Sequence, residues 1–290
     1  MTNAQSKSGS KVAFVLGGGG HLGANEVGML QALLTAGIRP DLIVGTSVGA
    51  LNGVTIAAQP DLEAVSKLWQ AWVDLGREKI FSSALGGAGT LMRNKGIYLH
   101  DNSDLEKLIR RLLPVHSFEE LQVPFQCVAA SIEQAAERWF SRGPLIPAVL
   151  ASSAVPGLLP PVRIDGEHFY DGGVVNSIPI ERALQLGATE LYILHVGRIE
   201  QPLKPPRNLI QVANVAFEIA RRHRFAKDMA GLPDGIVGHV LPTGEEDPAS
   251  SPLAQLKYKD FTHVDERMQT AYEATTRYLT KAAGGAEPGS

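Results

Sequence analysis

Ser47 stands at the centre of Gly45-Thr46-Ser47-Val48-Gly49, a Gly-x-Ser-x-Gly pattern. The apolar, β-prone run Asp41-Leu42-Ile43-Val44 precedes it, and Ala50-Leu51-Asn52-Gly53-Val54 follows as the start of a buried helix. Strand, sharp turn and helix form the context in which such a serine becomes an exposed, strained nucleophile at the top of a sheet. Gly45 and Gly49 remove β-carbons that would collide with neighbouring backbone. The helix beginning after the serine aims N–H groups and a positive dipole end at charge developing beside it. The same five residues also fit a plain turn with an ordinary serine, so catalysis further requires a base and an oxyanion site.

A candidate oxyanion site lies upstream. Lys11 to Leu16 reads as a buried strand running into Gly17-Gly18-Gly19-Gly20-His21-Leu22-Gly23, after which Val27, Leu30 and Leu34 mark one helix face ending near Gly37. Gly18, Gly20 and Gly23 also match the dinucleotide-binding spacing. That use expects an acidic residue closing the second strand, and this strand closes on Gly45-Thr46-Ser47 with Asp41 at its other end. Consecutive glycines instead let backbone N–H groups converge on a small anion. A candidate base lies downstream. Pro160 to Tyr170 reads as a hairpin turning at Asp165-Gly166 and delivering Asp171 into Gly172-Gly173.

The elements that must position these residues alternate. Asp61 to Leu75 is an amphipathic helix with Leu62, Val65, Leu68, Trp69 and Trp72 at helical spacing; Ser82 to Asn94 is a Gly/Ser/Ala-rich loop; Asp104 to Leu113 is a short helix. Val123 to Ala130 is a buried strand with Trp139-Phe140 beside it, Ala148 to Pro156 a small-residue helix whose Ser152 and Ser153 read as structural, and Leu191 to Gly197 a further strand. Gln201 to Arg207 is proline-rich, and the helix Asn208 to Met229 carries Arg221, Arg222, His223 and Arg224 on what reads as a solvated face. Val237 to Leu241 is a strand, Gly244 to Ser251 a polar loop and Val264 to Ala282 a last helix.

The chain has 290 residues, 44% of them hydrophobic and 20% charged, ordinary values for a soluble globular protein. A formal charge of −3 gives no whole-molecule attraction to nucleic acid. The single cysteine, Cys127, excludes an internal disulfide and reads as a core residue. No run approaches the roughly 18 apolar residues of a membrane span, and a cytoplasmic location is the expectation. Residues 11–283 read as one domain, with 1–10 and 284–290 as flexible tails.

Taken in order, the glycine loop, the serine elbow and Asp171-Gly172-Gly173 resemble the patatin-like phospholipases. The likeness extends to Ala151-Ser152-Ser153-Ala154-Val155-Pro156, to Val174-Val175-Asn176-Ser177-Ile178-Pro179 and to Asp260-Phe261-Thr262. It implies an α/β fold, a three-layer α/β/α sandwich around a mostly parallel sheet. It also implies hydrolysis of lipid acyl esters by a Ser–Asp dyad, with neither metal nor cofactor. Ser47 is then the nucleophile, Asp171 its base, Gly18, Gly19 and Gly20 the oxyanion hole and the Val48 N–H its added donor. Gly23, Gly45, Gly49, Gly172 and Gly173 complete the motifs. The resemblance further implies a lipid or other acyl-ester substrate and transient contact with membrane surfaces; oligomeric state is not legible. One position departs: the family's usual basic residue before the last loop glycine is Leu22 here.

An unperturbed aspartate, with a pKa near ~3.9, is a poor base for a serine hydroxyl, so the dyad requires a buried Asp171. Two rival readings remain. Ser47, Asp171 and His195 follow the chain order of an α/β-hydrolase triad, although His195 stands inside a β-prone run. A non-catalytic lipid-binding or scaffold protein on the same fold is the other.

Overall fold

The computed structural model describes residues 9–78, 98–196, 202–203, 205–206, 209–244 and 263–284. The Ser82–Asn94 loop, Asp260-Phe261-Thr262, residues 245–251 of the polar loop and residues 1–8 and 285–290 of the tails lie outside the described residues, as do residues 201, 204 and 207 of the proline-rich stretch.

Five parallel strands form the body of the sheet: β1 (Val12–Leu16), β2 (Leu42–Thr46), β3 (Phe125–Ser131), β7 (Glu190–Leu194) and β8 (Val237–Val240). β1 and β2 are buried almost throughout, as strands covered on both faces must be. Three antiparallel strands extend one end: β4 (Ala136–Phe140), β5 (Val162–Ile164) and β6 (Glu167–Asp171). The order is β5-β6-β3-β2-β1-β7-β8, with β4 also paired to β3.

Side-chain alternation splits the core into two faces. Phe14, Leu16, Ile43, Phe125, Cys127 and Leu194 point to one face. The helices α1 (Ala24–Thr35), α2 (Val48–Ala58), α3 (Leu62–Glu78), α4 (Ser103–Leu112), α5 (Leu145–Ser152) and α8 (Val264–Gly284) cover it. Ala13, Val15, Leu42, Val44, Leu191 and Ile193 point the other way, against α6 (Ile180–Gln185) and α7 (Leu209–Ala230). The result is a three-layer α/β/α arrangement around a mostly parallel sheet. No helix among the described residues is long and apolar enough to cross a membrane.

Several local expectations change in detail. Leu62 opens α3 exposed, whereas Val65, Leu68 and Trp72 are buried. α5 stops at Ser152, four residues before Pro156. The arginines of α7 do not form a solvated face. Arg221 is buried and donates to the Val196 carbonyl, and Arg224 pairs with Glu137 of β4 and Glu181 of α6.

The register on β3 decides where the site forms. β4 pairs with Cys127 to Ser131 along one edge. β2 ends its pairing at Thr46–Val128, and β6 begins at Asp171–Ala129. Because β4 already occupies one edge over these residues, β2 and β6 lie end to end along the other. The chain leaves β2 as Ser47 at the step on β3 where Asp171 arrives.

Candidate active site

Ser47 joins β2 directly to α2, with φ 56° and ψ −124°. A non-glycine residue with positive φ is strained by about 1–3 kcal/mol and persists only where its surroundings hold it. A Cβ built on Gly49 would lie 2.6 Å from the Leu16 carbonyl oxygen, and one on Gly45 2.5 Å from the Gly49 oxygen. The first turn of α2 therefore packs backbone to backbone on the ends of β1 and β2, which only glycine permits.

The Ser47 hydroxyl donates to Asp171 Oδ2 at 2.5 Å, across 124 residues of sequence. Asp171 Oδ1 accepts the Gly173 N–H at 2.7 Å, capping the short 3-10 turn Gly172–Val174. Gly172 meets the Val128 carbonyl where a side chain would collide with it, and Gly173 lies against Phe217 of α7. Both side chains are buried, Ser47 at 7% exposure and Asp171 at 6%. Burial pushes the Asp171 carboxyl up to about 6, against the opposing hydrogen bonds from Ser47 and the Gly173 N–H.

The glycine loop leaves the carboxyl end of β1 and passes beside the serine: a Cβ on Gly18 would stand 3.3 Å from Ser47 Cβ. Here one expectation is corrected. The Gly18 N–H donates to the Ser177 carbonyl at 2.8 Å, which removes it from the oxyanion donors. Gly17 is likewise committed, to the Leu194 carbonyl at 3.0 Å. Gly19 immediately precedes the 3-10 turn Gly20–Gly23, and Gly20 opens it with φ 58°. Val48 is the first residue of α2, where N–H groups have no partner within the helix. Gly19, Gly20 and Val48 thus remain as candidate donors. Gly23 closes the loop against the side chains of Val48 and Trp72.

A family model described as Patatin-like phospholipase matches residues 14–184, a span that includes both Ser47 and Asp171. The chain belongs to the patatin-like phospholipase family. Patatin-like phospholipase domain-containing protein ZK370.4 of Caenorhabditis elegans is 31% identical over 196 residues, 67% of this chain and 14% of that protein. Lysophospholipase nte1 of Aspergillus terreus is 29% identical over 195 residues, 66% of this chain and 12% of its own. Patatin-like phospholipase domain-containing protein 6 of Homo sapiens is 31% identical over 192 residues, 66% of this chain and 14% of its own. The chain thus matches a small part of each of these longer relatives. Among solved structures, VipD from Legionella pneumophila covers 95% of this chain and 68% of its own, with a TM-score of 0.47 and 15% identity.

Within this patatin-like framework, Leu22 leaves the loop without its usual basic residue, and the structure has other anchors. The Leu22 N–H donates to the Gly19 carbonyl at 3.2 Å. The Asn52 amide of α2 donates to the Gly23 carbonyl at 3.0 Å and to Glu26 Oε2 at 2.8 Å, and its oxygen accepts the Trp72 indole N–H at 3.1 Å. Burial raises the Glu26 carboxyl well above the usual range, with the Asn52 hydrogen bond opposing the rise. A buried carboxyl and an amide therefore tie the end of the loop to the helix that carries Val48. The sequence signal was available in Asn52, a polar residue in an otherwise apolar helix.

Ser152 and Ser153 also gain partners that sequence reasoning did not assign. Ser152 Oγ accepts the Ser47 N–H at 3.0 Å, and the Ser153 hydroxyl donates to the Ser47 carbonyl at 3.1 Å. His195 lies just past the end of β7 rather than within the strand, buried at 4% exposure with its ring 5.9 Å from that of Phe225. β1 separates its strand from β2. Among the described residues no group of three His, Cys, Asp or Glu side chains is placed to hold a metal ion. A cavity of about 530 Å³ between α6 and α7, lined by Glu181, Arg224 and Lys227 among others, includes none of the site residues.

Proposed function

We propose that this chain is a carboxylic-ester hydrolase acting on lipid acyl esters, with Ser47 as nucleophile and Asp171 as its base. The observation that carries the reading is the 2.5 Å hydrogen bond between the two side chains. A carboxyl raised to about 6 is ionised at neutral pH yet accepts a proton more readily than an exposed aspartate. The reading takes residues 11–283 as one hydrolase domain.

In the proposed reaction the Ser47 hydroxyl passes its proton to Asp171 as Oγ bonds to the ester carbonyl carbon. The tetrahedral oxyanion is received by N–H groups of Gly19, Gly20 and Val48. Collapse breaks the ester C–O bond, and the leaving alcohol takes the proton from Asp171. Water then loses a proton to Asp171 as it attacks the acyl-enzyme, and that proton returns to Ser47 as the fatty acid departs. Each oxyanion donor contributes ~3–4 kcal/mol of transition-state stabilisation in such sites.

Names among the relatives point to phospholipid and lysophospholipid as first substrates to offer. Fatty acid release from a panel of phospholipids, lysophospholipids, glycerides and short soluble esters ranks them. A serine-reactive fluorophosphonate should label the wild type and leave Ser47→Ala unlabelled. Failure of the wild type to react would favour a binding or scaffold protein on this fold.

A further inference from the structure

Resting on the dyad reading, we infer that Ser152, Ser153 and Ala154, at the carboxyl end of α5, form the gauge that fixes the separation of nucleophile and base, with Ser152 and Ser153 as positioning residues.

The sheet alone does not set that separation. β2 and β6 share an edge of β3 but do not pair with each other, and their ends meet only at the step from Val128 to Ala129. Three consecutive residues bridge the gap. Ser152 and Ser153 hold the N–H and the carbonyl of Ser47, and the Ala154 carbonyl accepts the Asp171 N–H at 2.9 Å. One short segment thus grips the backbone of both dyad members.

The contacts are not those of an ordinary helix end. Serine hydroxyls near a helix terminus usually bond back to carbonyls of their own turn. These reach a residue 105 and 106 positions away. Ser152 and Ala154 are fully buried and Ser153 is 8% exposed, so water does not substitute readily. The body of the gauge is fixed as well, because Leu145, Ala148, Val149 and Ala151 of α5 are buried in the core.

The two hydroxyls have unequal tasks. The Ser47 carbonyl also accepts from the Ala50 N–H at 2.9 Å and the Leu51 N–H at 3.3 Å, so it keeps partners without Ser153. For the Ser47 N–H, the partner in the structure is Ser152. Removing Ser152 leaves that N–H buried at a residue already held at positive φ, and the natural relief is a turn of the elbow away from Asp171.

The test is Ser152→Ala and Ser153→Ala in the full chain, assayed on a soluble short-chain ester. Ser152→Ala should lower kcat by roughly tenfold to a hundredfold, the scale of a misplacement of about 1 Å, with KM within about twofold. The acid limb of its pH profile should move above 6, because a drifting serine withdraws a hydrogen bond that opposes the effect of burial on Asp171. Ser153→Ala should show the same signature more weakly, and it keeps the inference testable if Ser152→Ala does not fold. Wild-type kcat and an unmoved acid limb in both variants overturn the gauge while leaving the dyad standing. So does a loss of thermal stability with no shift of the limb, which marks ordinary packing. A wild type inert to fluorophosphonate overturns the dyad itself.

Discussion

The two halves of the candidate site are built differently. The half holding Ser47 is local: β1, the glycine loop, α1, β2 and the elbow follow one another within the first fifty residues or so. The half holding Asp171 is assembled at a distance, by a hairpin paired antiparallel to β3 and by α5 packed behind it. A local half announces itself through glycines, because close backbone approach admits little else. A distant half is specified by registers and buried hydrogen bonds, which leave a weaker mark on composition.

The largest expected effect falls on the distant half. Asp171→Asn keeps the shape and a hydrogen-bond acceptor but removes the proposed base, so ester turnover should fall by about 10²–10⁴-fold. Its stability should move the opposite way. Burial raises Asp171 from 3.8 to about 6, so the folded state holds its proton more tightly than the unfolded chain. The contribution of Asp171 to wild-type stability should therefore be most favourable below pH 4, fall as pH rises to about 6, and level off above. At about 1.4 kcal/mol for each tenfold change in proton affinity, Asp171→Asn should be more stable than wild type at pH 8 by up to about 3 kcal/mol. That advantage should vanish near pH 3. Urea unfolding at the two pH values measures it, and an equal difference at both would mean that ionisation of Asp171 does not oppose folding. The wild-type activity should in turn rise with pH through about 6, as the base ionises.

How much of this was legible divides along the same line. The parallel strands, the elbow and the hairpin turn at Asp165-Gly166 can be read from the chain, since apolar runs and Asp-Gly state local geometry directly; Asp165 and Gly166 do adopt φ of 51° and 90°. The donor set was only partly legible. A run of four glycines shows where amides can converge, but not that Ser177 already engages the amide of Gly18. The positions of Ser152 and Ser153 looked structural because a hydroxyl in a small-residue helix has ordinary local partners; its distant partner depends on α5 packing behind Ser47. Glu26 gave no signal, because a carboxyl in a first helical turn is usually solvated there.

A middle-sized effect is expected inside the local half, in the Asn52–Glu26 pair. Asn52 links the loop to the elbow helix, both within the local half, through side chains fully buried from water. Asn52→Leu should cost about 1–3 kcal/mol of stability, because the Gly23 carbonyl, Glu26 and the Trp72 indole lose a buried partner together. Turnover should also drop, since the loop is no longer tied to the helix of Val48. Glu26→Gln should be nearly silent at neutral pH, because burial favours the uncharged carboxyl, which is close to an amide in charge and shape. A large loss in Glu26→Gln would instead require an ionised Glu26.

The smallest effect is expected at His195, where a sequence rule and a fold rule disagree. Chain order allows His195 as the third member of a triad, and its position past the end of β7 is on the side of the sheet where loops carry chemistry. Yet in a triad the serine bonds to the histidine and the histidine to the aspartate, whereas in this site Ser47 donates directly to Asp171 Oδ2. The ring packs instead near Phe225 on the face covered by α6 and α7. His195→Ala should therefore keep turnover per folded molecule within a few-fold of wild type, although the lost packing lowers stability. Removing the histidine of a working triad leaves only residual catalysis. If His195→Ala, measured folded, is as inactive as Asp171→Asn, the distant half of the site has a third contributor and the dyad is wrong.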